Sequence, residues 1–310
     1  MAEQGTLTGK KDSGATWTYT GDVLNGQPHG KGKITASDGS SYEGDWADGE
    51  RHGKGKQIYS FGAVYEGDFV NDYEHGKGKY TQENGDVYEG DWADGNQTGK
   101  GKLTMANGIV CEGDFVEDRM HGKGKIKFPN GNVYEGDIVD DIMQGKGKYT
   151  GADGIVYEGD FANDKPHGKV KVTFPNGDVY EGDVVEGARH GKGKLTLADG
   201  SFYEGSFAND NPTVGKGKVT NNKGVYEGDI VGGIAHGKGK VVNTNGDVFE
   251  GDFVNDNAIK GKFAYSNGDV YEGDFVDGEP HGKGKMTYKN GKIEEGKWKK
   301  GIFKGKGLFG

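Results

Sequence analysis

One stretch of the sequence decides the fold: YEGDWADGERHGKGK, from Tyr42 to Lys56. Its aromatic residues, Tyr42 and Trp46, alternate with acidic residues, and this period of two is typical of a β-strand with one aromatic and one charged face. The alternation of Gly and Lys that follows predicts a second strand, and the loop Asp48–His52 joins the two. The stretch therefore predicts one β-hairpin.

The hairpin stretch recurs along the whole chain. Its first aromatic position returns every 23 residues without a break, then once after 22 and once after 23. Such a period indicates one structural unit stacked on itself. The thirteen positions are Tyr19, Tyr42, Tyr65, Tyr88, Cys111, Tyr134, Tyr157, Tyr180, Tyr203, Tyr226, Phe249, Tyr271 and Glu294.

A turn sequence joins one unit to the next. Phe128-Pro129-Asn130-Gly131 has proline where a type I turn fixes φ, and glycine where a three-residue hairpin needs a left-handed bulge residue. The predicted pairs between units are Ile126 with Tyr134, Lys125 with Glu135 and Lys123 with Asp137; across the hairpin, one register sets Glu112 against Lys125 and Asp114 against Lys123. Most of the acid excess then lies in loops, at residues such as Asp48, Asp72, Asp94 and Asp164.

The aromatic face supports two interpretations. Rings can lie over strand glycines, as we expect for Trp92 beside Gly99 and Phe115 beside Gly122, which makes the face a core. A single sheet has no second layer, however, and an uncovered apolar face is typical of a contact site. The candidate partner-binding groove comprises Tyr42, Trp46, Tyr65, Phe69, Tyr88, Trp92, Phe115, Tyr134, Tyr157 and Phe161.

Composition excludes several classes of protein. The chain has 310 residues, only 31% of them hydrophobic, and 62 glycines, which is too little apolar material for two conventional cores. The net charge of -10 argues against a nucleic-acid partner and against binding an anionic bilayer with the whole surface. A single cysteine, Cys111, forms no internal disulfide, and no long apolar run occurs, so we expect a soluble cytoplasmic protein.

The sequence offers no single catalytic constellation, so we expect no enzyme, no catalytic residue, no cofactor and no metal. The carboxylates recur identically in every unit, whereas an active site is unique. Gly95 to Lys100 imitates a phosphate loop but is one residue short. The histidines of neighbouring units stand roughly 9–10 Å apart, too far to share an ion. They are His29, His52, His75, His121, His167, His190, His236 and His281.

The pattern from Tyr42 to Gly55 resembles the MORN repeat (membrane occupation and recognition nexus), and the resemblance runs from about Gly14 to Leu308. It implies an all-β fold, an elongated single-layer twisted antiparallel sheet of stacked hairpins, like a β-solenoid rod. Thirteen units at about 9.5 Å each predict a length near ~120 Å. We expect a cap or partial hairpin at residues 1–18, twelve repeats at 19–291, and a degenerate basic and apolar repeat at 292–310.

The resemblance also implies a role. The chain looks like the stand-alone members of the family, which are often homodimeric scaffolds of protist cytoskeletons and in some cases take up a partner's helical peptide. We therefore expect a scaffold that binds protein segments near cytoskeleton or membrane; the alternative is a phosphoinositide-binding membrane adaptor. Because terminal repeats are often caps or interfaces, the dimer contact candidates are Trp298, Ile302, Phe303, Leu308 and Phe309.

Departures from the pattern mark where its regularity breaks. The segment Asn211–Val214 adds one residue and Asn221–Lys223 loses one, while Asn257–Lys260 lacks one residue and its histidine. Val170 replaces an expected glycine. We expect local bends or contact points at these places.

Overall fold

The computed structural model describes residues 1–306, and every regular element in that range is a β-strand. Most strands have seven to ten residues and are joined by tight turns. The strands are β1 Glu3–Lys10, β2 Thr16–Leu24, β3 Gln27–Ala36, β4 Ser41–Ala47, β5 Glu50–Ile58, β6 Val64–Val70, β7 Tyr73–Thr81, β8 Val87–Ala93, β9 Asn96–Thr104, β10 Val110–Val116, β11 Arg119–Lys127, β12 Val133–Val139, β13 Ile142–Thr150, β14 Val156–Ala162, β15 Lys165–Thr173, β16 Val179–Val185, β17 Ala188–Thr196, β18 Phe202–Ala208, β19 Asn211–Pro212, β20 Gly215–Asn221, β21 Gly224–Val231, β22 Ile234–Asn243, β23 Val248–Val254, β24 Asn257–Ala264, β25 Val270–Val276, β26 Glu279–Thr287, β27 Ile293–Lys299 and β28 Ile302–Gly305.

The chain divides into two compact units. Unit 1 comprises Met1–Ala152 with Phe161–Asp164, and unit 2 comprises Asp153–Asp160 with the chain from Lys165 onward. In each unit, strands that follow one another in sequence pair antiparallel in an open sheet, as β4 pairs with β3 and β5 in unit 1 and β16 with β15 and β17 in unit 2. The predicted all-β fold of stacked antiparallel hairpins is confirmed.

The turn inside each repeat is shorter than predicted. The loop expected at Asp48–His52 is wrong, because β5 already begins at Glu50. Asp48 and Gly49 form a two-residue turn with φ values of 48° and 90°. Positive φ at both central residues defines a type I′ turn, whose twist matches that of the flanking strands.

The turn between repeats agrees with the prediction. The N–H of Gly131 donates to the carbonyl of Phe128 at 3.0 Å, and Gly131 has φ 90°, which together give the type I turn with its left-handed bulge residue. The register is also as expected: Ile126 faces Tyr134, Lys125 faces Glu135 and Lys123 faces Asp137.

Across the hairpin, only half of the predicted register is correct. Glu112 faces Lys125, but the register shifts after Gly113, so that Phe115 faces Met120. The predicted pair of Asp114 with Lys123 is therefore wrong. Asp114 stands in a β-bulge, where its Oδ2 accepts a hydrogen bond from the backbone N–H of Lys123 at 3.2 Å.

The bulge also changes which glycine each aromatic residue faces across the strands. Phe115 faces Gly99 of the preceding repeat, not Gly122, and Trp92 faces Gly76, not Gly99. The predicted pairs of Trp92 with Gly99 and of Phe115 with Gly122 are therefore wrong. Tyrosine rings do lie over strand glycines. The bulge moves the aromatic residue away from the glycine of its own hairpin, so its partner comes from the neighbouring repeat.

The departures from the repeat have local effects. The extra residue near Pro212 splits one strand into the short β19 and the longer β20. Val170 is buried in an apolar cluster with Val172, Tyr180, Val184 and Phe207.

Candidate functional site

The aromatic face of unit 1 is a continuous row of rings in contact with one another, which we call the ladder. From Tyr19 to Phe115, each tyrosine meets the next ring edge to face, at centroid distances of 5.0–5.3 Å and interplanar angles of 77–90°. This geometry suits the aromatic quadrupole. The rings in order are Tyr19, Trp46, Tyr42, Phe69, Tyr65, Trp92, Tyr88 and Phe115.

Tyrosine hydroxyls at the first aromatic position of the repeat donate to the backbone. Tyr134 Oη donates to the carbonyl of Asp137 at 2.7 Å, and Tyr180 Oη donates to that of Asp183 at 2.7 Å. Burial raises the pKa of Tyr134 and of Tyr180 to about 12. The phenols therefore stay neutral and structural at physiological pH.

The candidate groove residues lie mostly inside this ladder. Nine of the ten are buried, and Tyr157 is half-buried. Val170 explains the exception, because it stands where Gly147 lies beneath the ring of Tyr134, and its side chain fills that space. The face expected to be core first and groove second is a core, and partner binding at these ten residues stays a prediction.

The opposite, charged face is built around the aspartate of each bulge. Asp45 Oδ2 accepts from the backbone N–H of Lys54 at 3.0 Å, and Asp45 Oδ1 lies 2.5 Å from Lys31 Nζ of the preceding repeat. Lys33 pairs with Glu43 at 2.9 Å. Each bulge aspartate thus ties its own hairpin to the previous one.

The same arrangement sets the pKa of these carboxyls. Lys123 Nζ and the backbone N–H of Lys146 donate to Asp137 and hold its pKa below the usual range. The hydrogen bond from Lys100 Nζ does the same for Asp114. These carboxylates are ionised structural groups at neutral pH.

Open channels run along the charged face in both units. In unit 1 a channel of about 1200 Å³ extends from Gln4 to Gly90. In unit 2 a channel of about 1810 Å³ extends from Lys169 to Gly273. Both are lined by the glutamates, lysines and glycines of successive hairpins.

The channel of unit 2 is almost neutral. Nine lysines and six acidic residues line it. Asp183 and Asp229 pair with two of those lysines, which leaves a net charge of one positive charge. One bulge position that faces a channel lysine departs from the rule. Ser206 replaces the aspartate, and Lys192 Nζ donates to its hydroxyl at 2.8 Å.

Turn aspartates join the repeats at the hairpin ends, a role that the sequence analysis missed. Asp72 Oδ1 accepts from the backbone N–H of Arg51 at 2.9 Å, and Asp164 Oδ1 accepts from that of Met143 at 2.9 Å. Both acceptors lie 21 residues from their donors. That fixed spacing, with aspartate second in the turn, is the signal that could have revealed them.

The histidines lie in strands and contact turn residues of the next repeat. His121 Nδ1 is 3.2 Å from Asp140 Oδ1, and His29 Nδ1 is 3.8 Å from Asp48 Oδ1. Within residues 1–306, no group of three His, Cys, Asp or Glu side chains is arranged to hold a metal ion. The same range contains no helix suited to crossing a bilayer.

Cys111 interrupts the ladder. It is 6% exposed, and burial raises the pKa of its thiol to about 11. The space over Gly124, which a tyrosine at position 111 would fill, is taken by Met120 and Ile138.

The dimer contact candidates have different environments. Trp298 is 4% exposed and meets the ring of Tyr271 at 5.3 Å, so it belongs to the core. Phe303 packs partly buried against the same cluster, while Ile302 is 58% exposed. Leu308 and Phe309 lie outside the described residues.

These features define an all-β protein of stacked hairpin repeats. The family model of the MORN repeat matches eleven segments, and the chain belongs to this family. The two repeats at 203–225 and 249–270, which hold the insertion and the shortened turns, fall outside the matches. The matched segments are 19–41, 42–61, 65–87, 88–110, 111–133, 134–156, 157–179, 180–202, 226–248, 271–293 and 295–309.

Solved structures offer only distant likenesses. The TCP10 domain of Danio rerio CPAP is 14% identical, over 84% of this chain and 97% of that chain, with a TM-score of 0.26. The TCP domain of Drosophila melanogaster SAS-4, in complex with a proline-rich motif of Ana2, is 15% identical over 74% and 97%, with a TM-score of 0.23. Such low TM-scores carry no argument for this chain. A comparison with curated proteins found no match.

Proposed function

We propose that this protein is a non-enzymatic scaffold that binds segments of partner proteins along its repeats, works without a cofactor or nucleic acid, and acts in the cytoplasm near cytoskeleton or membrane. The observation that carries the proposal is the pair of long channels, each spanning several hairpins of one unit. An extended or helical segment fits a surface of this form better than a small substrate does.

The lining of the channels favours a protein partner. Positive and negative side chains alternate along the unit 2 channel, and its net charge is only one positive charge. A polar segment of mixed charge can complement such a surface in one register. A purely anionic ligand would find most of the lysines already facing carboxylates.

Peptide selection on the full chain tests the scaffold proposal. Peptides selected from a random display library are measured by fluorescence anisotropy against the channel variant Glu227→Lys, which breaks the facing pair of Glu227 and Lys240. We expect weaker binding, restored in part by the double swap with Lys240→Glu, and unchanged binding to the turn variant Glu186→Lys. Selected peptides whose affinity is the same for the native chain and both channel variants would contradict the proposal.

Self-association through the last repeat is a second part of the proposal. Within residues 1–306, β28 pairs only with β27, and an unpaired strand edge can pair with another chain. Because deletion of residues 292–310 would also uncover Tyr271, the milder variant Ile302→Glu is the better test. Light scattering should give a dimeric mass for the native chain and a monomeric mass for the variant; an unchanged mass would remove this contact.

A phosphoinositide-binding adaptor is the alternative, and one observation favours it. Lys297 stands where other repeats carry the bulge aspartate, and it faces Lys283. Salt screens binding in the charged channel as well as binding to lipid, so the two proposals are separated by the residue on which binding depends: Lys297 for the adaptor and Glu227 for the scaffold. Co-sedimentation with vesicles containing phosphatidylinositol bisphosphate, strong at low salt and lost in Lys297→Asp, would favour the adaptor over the scaffold.

A further inference from the structure

A polar cavity opens on the aromatic side of unit 1, away from the charged channels. Its volume is about 480 Å³. Three rings form walls that are nearly perpendicular: Tyr59 and Tyr80 at 6.1 Å and 80°, and Tyr80 and Trp92 at 6.0 Å and 71°. We call this space the Gln97 cavity, and its main lining residues are Tyr59, Glu74, Tyr80, Trp92, Gln97 and Asp118.

The cavity is built to accept hydrogen bonds from a cation. Three carboxylates, Glu74, Asp86 and Asp118, line it, and none of its described lining residues is a lysine or an arginine. Glu74 Oε1 accepts a hydrogen bond from Tyr59 Oη, which fixes the carboxylate against the ring wall. Aromatic faces next to carboxylates attract an organic cation through the ring quadrupole and the charge together.

Gln97 provides an independent sign of a missing ligand. It is the one polar side chain buried to 9% exposure among residues 1–306, and it lines this cavity. Its backbone N–H donates to Asp118 Oδ1 at 2.8 Å, but its side-chain amide makes no hydrogen bond with any described residue. The amide lies at the open cavity, where a bound donor could reach its oxygen.

Other repeats fill the same position with an arginine of their own. Arg51 stands 46 residues, two repeats, before Gln97. Its Nε donates to Asp72 Oδ1 at 3.0 Å, and its guanidinium lies 5.2 Å from the Phe69 ring centroid and 5.8 Å from that of Tyr42.

Arg189 repeats this arrangement in unit 2. Its Nε lies 3.2 Å from Asp210 Oδ1, and its guanidinium is 5.5 Å from the Phe207 ring and 5.9 Å from the Tyr180 ring. Gln97 has the matching turn aspartate, Asp118, but its amide carries no positive charge.

We propose that the Gln97 cavity is a receptor site for an arginine side chain of a partner protein. The guanidinium stacks on the aromatic walls and donates to Glu74, the Gln97 amide oxygen and Asp118. Of these contacts, the one with the turn aspartate has a counterpart within the chain, where Arg51 Nε donates to Asp72. Arginine fits better than a methylated lysine, because several acceptors surround the space and a guanidinium carries five donors. The proposal rests on the scaffold function only for the source of the arginine.

Indole NMR signals test the site directly. The chain has four tryptophans, and the Trp92 indole N–H, which donates to the Gly78 carbonyl, reports on the cavity wall. Titration of the ¹⁵N-tryptophan-labelled full chain with acetyl-Gly-Arg-Gly-amide should move the Trp92 signal and leave those of Trp17 and Trp298 in place. The neutral analogue with citrulline should move none.

Matched variants make the result decisive. Glu74→Gln should weaken arginine binding at least about tenfold, since it replaces a charged acceptor by a neutral one. Gln97→Arg should abolish binding, because the new guanidinium would take the hydrogen bond to Asp118 that the peptide needs, as Arg51 takes the one to Asp72. Unmoved Trp298 signals show that the variant folds. Glu186→Gln, in the turn between β16 and β17 of unit 2, is the control with unchanged binding. The site would be overturned by no shift of the Trp92 signal with the arginine peptide, by equal shifts with the citrulline peptide, or by full binding to Gln97→Arg. These outcomes are independent of the channel test of the scaffold.

Discussion

The ring of Tyr42 lies directly over Gly55, so close that a Cβ on Gly55 would overlap Cε2, Cζ and Oη of the ring. The same contact joins Tyr65 to Gly78 and Tyr88 to Gly101. Glycine weakens an isolated strand, but here its missing side chain makes room for a ring. A sheet of one layer thereby buries its aromatic residues without a second layer.

Acid should destabilise the protein through the bulge aspartates. Hydrogen bonds from Lys77, Lys100 and Lys123 hold the pKa of Asp91, Asp114 and Asp137 below the usual value. A carboxyl whose pKa is lower in the folded state adds stability above its unfolded pKa of about 3.9 and loses it as the pH falls through the folded value. The urea midpoint should therefore fall between about pH 5 and about pH 2.

A single substitution checks the origin of this pH dependence. Asp137→Asn should lower the midpoint at neutral pH and make the acid loss shallower, because one linked carboxyl is gone. A midpoint that stays constant or rises on acidification would show that the carboxylates do not stabilise the sheet.

The tyrosine hydroxyls should contribute measurably to stability. Tyr134→Phe removes the hydrogen bond from Tyr134 Oη to the carbonyl of Asp137, at a cost of about 0.5–1.5 kcal/mol. Phe249 occupies the same repeat position without a hydroxyl, so Phe249→Tyr should have the opposite sign. Urea unfolding of both variants checks the pair. If neither variant changes the unfolding midpoint, water hydrogen-bonds these carbonyls as well as the tyrosine hydroxyl does.

The thiol of Cys111 should react slowly in the folded protein. Burial raises its pKa to about 11, so little thiolate exists at neutral pH, and the side chain is only 6% exposed. Reaction with a chromogenic disulfide reagent should be slow in buffer and fast in urea. Rapid labelling of the native chain would place Cys111 at the surface.

The sequence predicted the parts of the fold that follow from local chemistry. The Pro-Asn-Gly turn fixes its own geometry, so the pairs of Ile126 with Tyr134 and Lys125 with Glu135 could be derived. The bulge at Asp114 could not, because the alternation of side chains runs through it unchanged and only the partner strand reveals the shift. The loop at Asp48 is shorter than the residue pattern indicates, because Asp48 and Gly49 alone make the turn.

The candidate site was harder to predict than the fold. Tyr42 and Trp46 look like an open apolar surface in sequence, and only the edge-to-face ladder shows that the rings cover one another. The Gln97 cavity depends on Gln97 standing where Arg51 stands two repeats earlier. The functional importance of Gln97 becomes visible only in the structure, where the rings and Asp118 surround its side chain.

The most direct test of the account is a pair of glycine substitutions. In Gly101→Ala the new methyl group would overlap the Tyr88 ring, whereas in Gly215→Ala the nearest neighbour, Ser206 Oγ, lies 3.8 Å from the new Cβ. If rings over glycines build the core, urea unfolding should show a loss of about 1–3 kcal/mol for Gly101→Ala and little or no loss for Gly215→Ala. Equal stability of the two variants would contradict the ring-over-glycine core.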